Sequence, residues 1–142
     1  MKPDVPAVLA ELAGLVARNA APDIHPADRA GALGLSAALL GLAAQAWDGA
    51  AQNLVIENRA IRALLAHGAD LLPEAAALAA GTDEDLRISA LGAENARLRS
   101  ALIALQVVVE TRPDAEAAAL NEAIWAELIA STERRLVAGS PA

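Results

Sequence analysis

Leu54-Val55-Ile56-Glu57-Asn58-Arg59-Ala60-Ile61-Arg62-Ala63-Leu64-Leu65 and Leu91-Gly92-Ala93-Glu94-Asn95-Ala96-Arg97-Leu98-Arg99-Ser100-Ala101-Leu102 are two copies of one motif. Leu, Glu, Asn, Arg and Leu recur at the same five positions, and Ile61 answers to Leu98. In each copy an Asn interrupts an apolar heptad seam. An amide that faces a helical interface must be hydrogen-bonded, so Asn58 and Asn95 mark a polar layer between helices.

Reading outward from the first copy, one heptad register holds from Leu33 through Leu40, Trp47, Leu54 and Ile61 to Gly68. The positions four residues further on are Ala37, Ala44, Ala51, Asn58, Leu65 and Leu72. This continuity predicts one very long helix over about 27–71. A second apolar face of Leu35, Leu39, Leu42, Ala46 and Ile56 implies contact with more than one neighbour. Pro73 stops the helix, because the residue before proline avoids helical backbone. A short turn of helix follows and ends at Gly81.

The second copy belongs to the cleanest seam of the chain: Ile88, Leu91, Asn95, Leu98, Leu102, Leu105 and Val109. Thr82-x-x-Asp85 resembles a capping box and predicts that this helix starts there, with Asp83-Glu84-Asp85 as an acidic first turn. Thr111-Arg112-Pro113-Asp114 stops it and starts a last helix reaching about Val137, with Leu120, Ile124, Leu128, Ile129 and Leu136. A short first helix over about 6–18, capped by Asp4, carries Val5, Val8, Leu9, Leu12, Leu15 and Val16. Residues 1–5 and 138–142 are expected to be frayed tails.

With 142 residues the chain has the length of a single domain. Short connections predict successive antiparallel neighbours, so the expected fold is all-α: an up-and-down antiparallel helical bundle. The midpoint between the two motifs falls near residues 76 and 77. A hairpin would therefore bring Asn58 and Asn95 to the same height. The long helix outruns the short first one, and a second copy of the chain is the simplest cover for its apolar length, which predicts a homodimer.

Composition bounds the function. The chain has no Cys, which removes disulfides, thiolate zinc sites and Cys nucleophiles. Its net charge of −7 argues against nucleic acid, which is bound by Lys and Arg that neutralise phosphates. The 18 residues from Ala30 to Trp47 are uncharged, yet they are mostly Ala and Gly, too poor in Leu-class residues to favour a membrane span. Lys2-Pro3-Asp4 and Glu11 do not make a signal peptide, and the expectation is a cytoplasmic protein. No Glu-x-x-His pattern occurs for a di-iron bundle, His67 suits a helix C-terminus, and no metal or other cofactor is implied. No general base stands beside an evident nucleophile, so no catalytic residue is assigned.

The candidate site is the polar layer itself: Glu57, Asn58, Arg62, Glu94, Asn95 and Arg99. Glu57 and Arg62 flank Asn58 as Glu94 and Arg99 flank Asn95, and charges placed so pair across helices. One reading is a register device, in which the amides fix which helix meets which. The other is a small polar pocket that grips an anionic or polar ligand through the Arg pair. Trp47 and Trp125 are expected as core or interface anchors. The function implied is a non-catalytic helical interaction or scaffold protein that binds a protein partner, with a ligand-binding bundle as the alternative.

Overall fold

The computed structural model describes residues 5, 8–9, 11–12, 14–15 and 25–136, and every regular element among them is α-helix. The expected Asp4 cap, the end of the first helix at 16–18 and the C-terminal tail lie outside the described residues. So do the side chains of Ala37 and Ala44. Residues 5, 8–9, 11–12 and 14–15 are helical. The elements that follow are α1 (Pro26–His67), α2 (Pro73–Ala79), α3 (Ile88–Glu110) and α4 (Ala115–Glu133).

The chain divides into two compact units, Met1–Gly49 with Arg135–Ala142 and Ala50–Arg134. In the first, Leu12, Ser36 and Ala43 are buried, and Ser36 donates its hydroxyl to the Ala32 carbonyl at 2.8 Å. The expected seam residues Leu33, Leu40 and Trp47 are instead exposed. No helix among the described residues is long and apolar enough to cross a membrane.

The second unit holds the core: Ile61, Leu65, Ala75, Leu98, Leu102, Leu105, Val109, Ala117 and Ile124. Its topology corrects the expected antiparallel hairpin between α1 and α3. Asn58 meets Asn95, and Gly68 packs so closely on Leu105 that a Cβ at Gly68 would lie 2.5 Å from both Leu105 methyls. Both pairs share an offset of 37 residues, so the two segments run parallel and in register. In an antiparallel pair centred on the amides, Gly68 would stand opposite residue 85, about 30 Å along the axis from Leu105 at 1.5 Å per residue. A third contact agrees. Asn53 donates to the Arg134 carbonyl at 2.9 Å, which places the end of α4 beside residue 53 and makes α4 antiparallel to both.

A parallel pair needs a connection that returns along its own length, and residues 68–87 supply it. α1 ends four residues earlier than expected, at His67, where the Gly68 and Leu72 amides close the turn on Leu64 and Gly68 carbonyls. α2 starts with Pro73 in the first turn, where a missing N–H costs nothing, and buries Ala75. Residues 81–87 then run without helix to α3. Seven extended residues span about 23 Å, close to the ~24 Å separating residue 67 from residue 51, the level at which α3 begins. The expected capping box does not form, and α3 begins at Ile88 with Arg87 as an N-cap that makes no side-chain cap bond. At the other end, Asp114 caps α4 by accepting from the Ala117 amide at 2.9 Å.

Candidate functional site

The same offset explains the charge pattern of the layer. In heptad terms Asn58 and Asn95 occupy a, while Leu54, Ile61, Leu91 and Leu98 occupy d. Glu57 and Glu94 then stand at g, Arg62 and Arg99 at e. In a parallel pair each g residue faces the e residue of the next heptad on the partner. Arg99 accordingly binds Glu57 at 2.6 Å and Arg62 binds Glu94 at 3.3 Å. The structure thus brings all six candidate residues together.

At the centre Asn95 donates its side-chain amide to the Asn58 side-chain oxygen at 3.0 Å. Asn58 is fully buried, and its own NH2 donates to Asp83 Oδ1 at 2.9 Å and to the Leu91 carbonyl at 3.4 Å. Glu57, Arg62 and Asn95 are buried around it. A buried amide left without partners is destabilising by about 1–3 kcal/mol, and here the strap and both helices satisfy it.

Asp83 is the member the sequence reading missed, having been assigned to a helix start. It sits on the strap 81–87, directly over the layer, and holds Arg62 in a two-pronged pair with Nη1–Oδ2 and Nη2–Oδ1 both at 2.9 Å. Both side chains are 9 % exposed. The Arg62 guanidinium keeps the Asp83 carboxyl below the usual carboxylate range, and Asp83 in turn raises Arg62. The signal for Asp83 lay in Arg62 itself, because a buried guanidinium needs more than one carboxylate edge. Arg62 Nε is buried without a hydrogen-bond partner, facing the strap glycine Gly81, whose added Cβ would lie 3.5 Å away.

Arg97 closes the set by binding Glu94 Oε2 at 2.8 Å. The layer therefore contains three carboxylates, Glu57, Asp83 and Glu94, against three guanidiniums, Arg62, Arg97 and Arg99. The Arg59 guanidinium adds a further positive charge that favours ionised Asp83, and the buried Arg62 already holds two carboxylates.

The two tryptophans lie elsewhere. Trp47 is 56 % and Trp125 52 % exposed, so neither is a core residue. Ile129, one helical turn after Trp125 on α4, is 59 % exposed. Between α1 and α4 runs an open groove of about 890 Å³ lined by small and apolar side chains such as Ala60, Leu64 and Leu120 and by charged ones, among them Asp70, Arg112 and Glu127. His67 Nδ1 lies 2.8 Å from the Ala63 carbonyl, and His25 Nδ1 accepts from the Ala27 amide at 3.2 Å, so both rings serve their own helices. Among the described residues no group of three or more His, Cys, Asp or Glu is placed to hold a metal ion. A comparison of the chain with family models, with curated proteins and with solved structures finds no match.

Proposed function

We propose that this chain is a non-catalytic helical interaction protein that associates with a second copy of itself and presents the outer face of α4 to a protein partner. The observation that carries the reading is the exposed pair Trp125 and Ile129, stacked at i and i+4 on one face of α4. Large aromatic and branched side chains in such a row are what protein interfaces use as anchors. The polar layer serves this role indirectly. Its amide pair and crossed ion pairs fix the register of α1 against α3 and so hold α4 in place.

The alternative, an anion-gripping pocket at the layer, loses its support in the geometry. An anion would have to compete with Asp83 for Arg62, and breaking that pair, in which both side chains are 9 % exposed, is destabilising by about 3–5 kcal/mol. The test is light scattering of the native chain together with capture of partners from its host. A mass of twice 14.4 kDa is expected, and Trp125→Ala with Ile129→Ala should lose the captured partner without losing helix content. A native chain that stays at 14.4 kDa at every concentration would contradict the self-association, and capture unaffected by the two substitutions would contradict the role of α4.

A further inference from the structure

We infer that the second copy of the chain binds through the heptad seam itself, by exchange of residues 73–134 between two chains. The inference rests on the self-association proposed above and supplies its mode.

The seam joins segments 54–68 and 91–105 at a constant offset, and the contacts that carry the polar layer are made by side chains. α2, the strap with Asp83, α3 and α4 all follow the turn 68–72, and α2 and α4 both pack against α3. If that whole block comes from another copy, Asn95 still meets Asn58, Arg99 still meets Glu57, and Asp83 and Glu94 still meet Arg62. Only the turn has to open. It is closed by local backbone bonds, Leu71 and Leu72 amides to the Gly68 carbonyl at 3.0 Å and the Ala69 amide to Ala66 at 3.4 Å. Exchange of an identical element is a low-cost route to a closed two-fold dimer, because both states bury the same seam. The a-position amides and the g–e' ion pairs admit one register and one orientation, so they select the same partner segment between chains as within one.

The chain has no Cys, so engineered thiols report unambiguously. Leu65→Cys is placed in one copy and Leu102→Cys in another; both sites are buried core positions at the seam offset. The two chains are unfolded together, refolded and oxidised. A disulfide between residue 65 of one chain and residue 102 of the other, at twice 14.4 kDa, is expected. Recovery of only 65–65 or 102–102 links, or of no link between chains, overturns the exchange. A second measurement does not depend on the thiols. Chains carrying Glu57→Arg alone and Arg99→Glu alone each oppose like charges internally, whereas exchange pairs opposite charges. The mixture should melt above both components, and melting as their simple sum overturns the inference. Should the native chain be a dimer while both mixtures fail, the exchange is wrong and self-association stands. Should the native chain be a monomer at every concentration, the self-association is wrong and the exchange falls with it, even where refolding forces the 65–102 link.

Discussion

Asn95 hands its amide hydrogen to Asn58 across the interface of α1 and α3, 37 residues away in sequence, while Asn58 reaches the strap through Asp83. The two amides are therefore unequal. Asn58 links three segments, and Asn95 is held from one side. Replacing Asn58 by Leu leaves the Asn95 donor without its acceptor and should destabilise the fold by about 2 kcal/mol in a denaturant titration. Asn95→Leu should be milder, because Asn58 keeps its bonds to Asp83 and Leu91. Leu at both positions removes the Asn95 donor together with its acceptor, so the double variant should be more stable than Asn58→Leu alone, with looser selection of register.

Asp83 and Arg62 form the tie between strap and helix. Asp83→Asn leaves the buried guanidinium with Glu94 as its remaining carboxylate and should destabilise by about 3 kcal/mol. Pairing Asp83→Leu with Arg62→Met removes both charges, and a thermal melt should show most of that loss recovered. If the single substitution at Asp83 is neutral, the strap is not fastened as described.

The same pair sets an acid limit. Asp83 titrates below its ordinary value of 3.8 because Arg62 bonds its charged form. A carboxyl whose folded pKa is lowered stabilises the fold above its unfolded pKa, and that contribution is lost as pH falls through the folded pKa. Asp114 shifts in the same direction, chiefly through the Ala117 amide it caps. Stability should be flat from neutrality down to about pH 5 and fall below about pH 4, with Asp83→Asn showing a shallower acid limb than the native chain. Asp85 titrates at about 2 because Arg87 bonds it on the exposed strap, and it adds no energetic weight to this limb.

Gly68 reports on chain direction. Its added Cβ would overlap Leu105, which is fully buried. Gly68→Ala should destabilise by about 1–3 kcal/mol through overpacking. Trimming Leu105 to Ala in the same chain makes room, so the two substitutions should be non-additive by about 1 kcal/mol. Strict additivity would mean the residues do not touch.

Much of the second unit was readable in the chain. The seam from Leu91 to Val109 is buried at the expected positions, Thr111–Asp114 ends one helix and caps the next, and Pro73 and Gly81 bound a short helix. Direction was misread because a parallel and an antiparallel pair both bring Asn58 and Asn95 level. The deciding features were quieter. Glu57 and Arg99 stand in g-to-e' spacing, and 20 residues separate α1 from α3, enough to return along the helix. Thr82-x-x-Asp85 carries a local cap pattern, yet Asp83 is drawn to Arg62, a stronger partner than a backbone amide, and the first helical turn is lost to the strap. The heptad register also ran back to Leu33, Leu40 and Trp47, which are exposed; that stretch is mostly Ala and Gly and offers little apolar area to bury.

Parallel, in-register pairing of α1 with α3 is tested most directly by two spin-label distances, since the chain offers no native thiol to confuse the labels. One pair replaces Arg59 and Ala96 by Cys, the other Ala66 and Ile103, all four being exposed and both pairs carrying the seam offset. The parallel arrangement gives the two pairs nearly the same separation. An antiparallel hairpin about the amides would displace the second pair by roughly 24 Å along the axis, and that result would contradict the parallel fold.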